Sequence, residues 1–362
     1  MSRERIQWID NEKGFVLLGV CLGHIGFSWN IFPYISTFHM AAFFFLSGML
    51  FRPNREWREF LMSKCKSLLL PYVILSFFFL FLSPSLYQLS THYPGSALQN
   101  RIADLLTQND YIHSLFVQIQ IYVLDIINGH SAPYVTPLWF VFTLYLLNIL
   151  WFYPIRWLSN SSYGSYWLGA IAILCFVLGW VLYMRDISIP FNFPTCITSS
   201  AFFVGGFILG KALPDLTKIN LGWLVLMILI LAGIYFYGVK NLTSPCIGYI
   251  VNDLDHNLLA YTCVSWGGTF LLTLLFICID RLNKPIFIGR ILRLISLNGI
   301  AILALHNYIL STMRWLAEIF NRPILANGWV MLGAIILFCI ITLPLINRYL
   351  YICVGKKKPQ ST

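Results

Sequence analysis

Three histidines lie in segments otherwise built of apolar residues: His24, His39 and His306. An ionisable side chain in a bilayer is costly and marks a functional site, unless it only bonds from one helix to the next. For an isolated histidine the interhelical bond is the ordinary explanation. His24 has neighbours that argue for more. Lys13 precedes it by eleven residues, about three helical turns, so the two share a helix face roughly 16 Å apart. Asp10 and Glu12 stand beside Lys13, while Gly14 and Gly23 permit another helix to come close. A cation at a mouth with a titratable imidazole in depth suits an anionic cosubstrate whose reactive end reaches inward. The imidazole then serves as base or nucleophile near neutral pH.

A second group is cationic. Arg52, Arg55, Arg58, Lys64 and Lys66 fall within fifteen residues, ahead of Pro71-Tyr72. Such a cluster sets topology, and it also makes a phosphate site. Trp139-Phe140 suits a membrane-interface belt, and its faces equally suit a sugar ring. His92, His113, His130 and His256 lack ligand spacing, and the nine cysteines are scattered singly with no CxxC pair. Neither a metal nor a disulfide is expected, and the cysteines read as small apolar packing residues.

The elements that must position these side chains follow from composition. Of 362 residues, 58% are hydrophobic and 10% charged, with a mean hydropathy of +0.74. A water-soluble domain carries far more charge on its surface. Apolar runs at 14–32, 36–51, 68–87, 137–153, 165–184, 195–213, 220–239, 258–280, 295–313 and 328–352 predict an all-α polytopic membrane bundle of about ten transmembrane helices. The net charge of +10 sits in short loops, which argues for topology determinants and against a nucleic-acid partner.

Those loop charges orient the chain. With the N-terminus in the cytoplasm, eighteen Lys and Arg residues lie on the cytoplasmic side and five outside. Both termini are therefore expected in the cytoplasm. The chain reads as a single membrane domain over 1–362, with a cytoplasmic start at 1–13, a long extracytoplasmic loop at 88–136 and a basic cytoplasmic tail at 355–362. No cleavable signal peptide is expected. The stretch 111–127 contains Gln118, Gln120 and Asp125 and reads as an amphipathic or re-entrant element rather than an eleventh span.

Several of these residues form a pattern: Trp8-Ile9-Asp10, Lys13-Gly14, Gly23-His24, Phe38-His39-Met40, Phe43-Phe44-Phe45-Leu46-Ser47-Gly48, Lys66 ahead of Leu69-Leu70-Pro71-Tyr72, and Leu138-Trp139-Phe140. The pattern resembles the membrane acyltransferase-3 family, most of all its fucose 4-O-acetylase-like branch. The first seventy-odd residues carry most of the resemblance. Later spans match mainly in number and in Leu305-His306.

The resemblance implies a multi-pass inner (plasma) membrane enzyme that takes an acyl group, usually acetyl, from cytoplasmic acyl-CoA. The acceptor is a hydroxyl of an envelope or exported polysaccharide sugar, or of its lipid-linked precursor. Under this reading His24 and His39 are catalytic. Lys13, Arg52, Arg55, Lys64 and Lys66 hold acetyl-CoA, and Asp10, Trp139 and His306 contact substrate. Many relatives carry Arg at this place; here Lys13 holds it, as is common in the fucose-acetylase-like branch. Succinyl transfer and export of sugar intermediates are the alternatives. An inverted repeat with broken helices would favour a transporter, and none is found. A non-enzymatic scaffold leaves the Lys13–His24 spacing without a reason.

Overall fold

The computed structural model describes residues 6–25, 32–79, 119–120, 122–130, 135–216, 218–244, 247–249, 252–282 and 287–356. Among these residues the chain is helical, with no strand and one isolated antiparallel bridge between Gly248 and Asp253. In chain order the helices are α1 (Gln7–Ile25), α2 (Phe32–Ser36), α3 (His39–Met49), α4 (Trp57–Phe79), α5 (Trp139–Leu150), α6 (Phe152–Leu158), α7 (Gly164–Met184), α8 (Phe193–Leu216), α9 (Leu221–Asn241), α10 (Leu258–Arg281), α11 (Phe287–Leu297), α12 (Gly299–Ile319) and α13 (Gly328–Tyr349).

Six of these, α4, α7, α8, α9, α10 and α13, are long and apolar enough to cross a bilayer. Two bent pairs bring the number to eight: residues 136–150 with α6, turned by 41°, and α11 with α12, turned by 91°. The expected first and second spans coincide with α1 and with the shorter apolar stretch Tyr34–Met49. Each of the ten apolar runs therefore contains a helix. Of the stretch 111–127, only 119–120 and 122–127 are described, and both pieces are helical. The rest of that expectation falls outside the described residues, as do the first five residues and the last six.

The chain divides into two compact units. The first comprises residues 1–23, 28–62 and 143–299. Its centre is α3, nearly all of whose side chains are buried. Backbones meet closely there because glycines remove the side chain between them. A Cβ at Gly48 would overlap the Phe203 carbonyl, and one at Gly206 would overlap that of Phe45. Aromatic rings fill the remaining space, with Phe45 edge-on to Phe270 at 5.4 Å and Phe176 stacked on Tyr261 at 5.0 Å.

The loop after α9 is tied by the fully buried carboxylate of Asp255. It accepts from the backbone N–H groups of Thr243, Ser244 and Asn257 and from the Thr243 hydroxyl. A buried charge needs this kind of compensation. In α11, the exposed Ile288, Ile291 and Leu294 alternate along the chain with Arg290 and Arg293. An apolar surface interleaved with cations is what a helix at a membrane interface presents.

The second unit comprises residues 24–27, 63–142 and 300–362. Here Phe79 of α4 packs on Tyr308 of α12 at 5.0 Å, and the Tyr72 hydroxyl donates to the carbonyl of Ile126 at 2.7 Å. Within α4, Cys65–Leu69 takes the wider π-helical turn, a local form often found at functional sites. A Cβ at Gly355 would overlap the Ser67 carbonyl on that turn. Gly355 adopts φ of 71°, a backbone conformation open to glycine without strain.

Candidate active site at the end of the first helix

α1 begins at Gln7, ahead of the apolar run that starts at Gly14, because Trp8 and Ile9 are buried and anchor the first turn. It ends at Ile25. His24 stands in the last described turn of the helix. Its side chain is exposed. The last carbonyls of a helix have no partner within it. Here Arg314 of α12 supplies one, its Nη2 donating to the carbonyl of His24 at 2.7 Å and to that of Ile25 at 3.4 Å. A cation at a helix C-terminus is also favoured by the helix dipole. Arg314 thereby holds the turn from which His24 projects.

The imidazole of His306 lies against that of His24, with ring centroids 5.5 Å apart and planes tilted by 53°. His306 is fully enclosed, at 0% exposure. Its Nδ1 is 2.9 Å from the carbonyl of Ile302, one turn earlier in α12. A carbonyl only accepts, so Nδ1 carries the hydrogen and Nε2 is left with its lone pair. Nε2 is buried and has no hydrogen-bond partner among the described residues.

Toward the other end of α1, in the first unit, Glu12 is fully buried and accepts from the Thr273 hydroxyl of α10 at 2.8 Å. Its other carboxyl oxygen has no partner among the described residues. Asp10 and Lys13 are half-buried beside it. A Cβ at Gly14 would overlap the Leu292 carbonyl of α11, so α1 and α11 touch backbone to backbone. Lys13 and His24, eleven positions apart, lie within one uninterrupted helix, as their spacing required.

The remaining expected residues are distributed as follows. His39 opens α3 in the first unit, buried, with Nδ1 2.9 Å from the carbonyl of Ile35. Arg52, Arg55 and Arg58 are exposed in the same unit. Arg52 donates to the carbonyls of Met49 and Phe51 at 2.9 and 2.7 Å, so it also closes the end of α3. Arg156 donates to the carbonyl of Arg55 at 3.1 Å, bringing a further cation to that surface. Lys64 and Lys66 belong to the second unit, where Lys66 is exposed on the π-helical turn of α4. Trp139 and Phe140 are buried there, edge to face at 6.5 Å.

Of the expected set, the structure brings His24 and His306 into contact. Arg314 and the Ile302 carbonyl escaped the sequence reading. A basic residue two turns beyond His306 was the one available sign of the former, and it reads equally well as a loop charge.

An exposed imidazole in the last described turn of α1, with a second, enclosed imidazole against it, is an arrangement that can serve proton transfer or nucleophilic chemistry. A family profile described as an acyltransferase domain matches residues 6–346, and the chain belongs to that family, acyltransferase-3. It is accordingly a membrane acyltransferase. No curated protein and no solved structure matched the chain.

Proposed function

We propose that the protein is an O-acetyltransferase of the fucose 4-O-acetylase-like branch. It takes acetyl from cytoplasmic acetyl-CoA and places it on a sugar hydroxyl of an envelope or exported polysaccharide, or of its lipid-linked precursor, at the inner membrane. The observation that carries the reading is the exposure of His24 at the braced end of α1, on the helix that also bears Lys13. Attack of a hydroxyl on a thioester is slow at neutral pH, and a positioned base contributes about 10²–10⁴-fold.

In the proposed reaction His24 takes the proton of the acceptor hydroxyl. The oxygen forms a bond to the acyl carbon, and the carbon–sulfur bond breaks. The departing CoA thiolate recovers the proton from His24, so the products are the ester and free CoA. Lys13, Arg52 and Arg55 of the first unit, and Lys64 and Lys66 of the second, are each candidates for a phosphate of CoA, for which cationic hydrogen-bond donors are suited. His39 orients the thioester carbonyl, and Asp10 and Trp139 contribute to substrate contacts.

The deciding experiment is mass spectrometry of envelope glycans from cells with and without the gene. An acetyl mass difference on a sugar supports the proposal. A succinyl difference keeps the enzyme and changes the donor. Glycans of identical mass and a missing exported product would instead favour transport.

A further inference from the structure

The enclosed histidine has a function of its own in this site. We infer that His306, which the resemblance implies as a substrate contact, instead sets the tautomer and orientation of His24 through its bare Nε2, acting as a positioning residue that does not touch the sugar. The inference rests on the proposal that His24 is the base.

Two observations converge on it. The first is the tautomer of His306. Its Nδ1–H is spent on the Ile302 carbonyl, so the other nitrogen is an acceptor. That acceptor is buried and has no partner among the described residues. A buried acceptor left unpaired costs its desolvation, so a partner that reaches it gains that cost back. The second is what lies beside it. The ring of His24 lies against it, tilted, and His24 is an exposed residue. His306 is at 0% exposure, so an acceptor sugar meets His24 first.

A neutral imidazole has one N–H and one lone pair. If the N–H of His24 turns to Nε2 of His306, the lone pair of His24 faces outward, where a hydroxyl proton is to be taken. When His24 accepts that proton, its positive charge stays hydrogen-bonded to a neutral acceptor. The Ile302 carbonyl, at the back of His306, holds the second ring in place, as an outer partner commonly fixes the tautomer of a functional histidine. The proton moves only between the acceptor hydroxyl, His24 and the CoA thiolate, and His306 neither gains nor loses one. Arg314 completes the arrangement by holding the backbone of His24.

The geometry makes two substitutions diagnostic. Asn at 306 places an amide where Nδ1 was, keeping the bond to the Ile302 carbonyl and losing the acceptor toward His24. Gln reaches the position of Nε2 and returns an oxygen acceptor there. Purified wild type, His306→Asn, His306→Gln, His306→Ala and His24→Gln are compared for acyl transfer, with kcat and the acceptor KM measured separately on monodisperse protein.

The inference predicts that His306→Ala and His306→Asn lower kcat at least tenfold with the acceptor KM unchanged, and that His306→Gln recovers most of it. Equal activity of the Asn and Gln variants shows that the residue serves packing and overturns the inference. A raised acceptor KM with kcat intact shows direct sugar contact and also overturns it. The two readings fail separately: an active His24→Gln removes the base itself. An inactive His24→Gln beside fully active His306 variants keeps the base and removes the role of His306. Should His306→Ala fail to fold, the Asn and Gln pair still decides the matter.

Discussion

His24 stands in the last described turn of α1. Placed mid-helix, an imidazole is confined to the packing between neighbours, whereas in the last turn it is exposed while its carbonyl is held by Arg314. The cations make a second claim at the same scale. Lys66 stands exposed on a π-helical turn, and Arg52 has already committed donors to the carbonyls of Met49 and Phe51. A charge-assisted hydrogen bond is worth about 1.5–3 kcal/mol. Lys66→Ala should therefore weaken CoA binding about tenfold or more at unchanged protein yield, whereas Arg52→Ala should lower both affinity and thermal stability. Titration of monodisperse protein with CoA, beside a melting curve, separates the two; flat CoA affinity in both variants removes these residues from the donor site. His24 and Lys13 were legible in the sequence because their spacing fixes a shared helix face without reference to anything else. The contact of His24 with His306 was not, since residues 282 positions apart meet only through the rotation of two packed helices.

Helix existence was legible because runs of apolar residues long enough to span lipid have one way to satisfy their backbone. What hydropathy could not show was where a helix departs from a straight rod. The run at 295–313 reads as one span, yet the chain turns by 91° between α11 and α12, at Asn298-Gly299. The π-helical turn in α4 is equally silent in composition. Glycines, by contrast, predict close approach, and α3 against α8 is the clearest case. Gly48→Ala sets a methyl group against the Phe203 carbonyl, and overpacking of this kind costs about 1–3 kcal/mol. Gly233 on α9 has nothing within 4 Å of an added Cβ. Gly233→Ala should leave the melting temperature in detergent unchanged or raise it, while Gly48→Ala lowers it clearly. Equal melting temperatures would mean that α3 and α8 are not in backbone contact.

For the molecule as a whole, the distribution of charge makes the strongest claim. Eighteen basic residues on one set of loops against five on the other orient a multi-pass chain, because the cytoplasmic side retains Lys and Arg. We predict both termini in the cytoplasm and the loop containing Asn109 outside. On a background without the native cysteines, a cysteine at Asn109 should react with an impermeant thiol reagent in intact cells, and one at Ser361 should resist it until the membrane is opened. Labelling of both in intact cells would require an even number of spans between the two positions and would contradict the ten-span topology. Under the proposed function that orientation would put Lys13 at the cytoplasmic end of α1 and His24 toward the outer one, the polarity that a cytoplasmic donor and an envelope acceptor would require.

The central claim is that His24 is the base of acyl transfer, and His24→Gln tests it most directly. Glutamine preserves a hydrogen-bonding amide of similar reach and takes no proton at neutral pH. The expected loss of stability is of order 1 kcal/mol, as for an interhelical hydrogen bond, and leaves the protein folded and extractable. The loss of a base costs about 10²–10⁴-fold in rate. Acyl transfer from acetyl-CoA to the native acceptor, normalised to monodisperse protein, should fall by at least a hundredfold in His24→Gln with the elution profile unchanged. Retention of most of the wild-type activity would contradict the account.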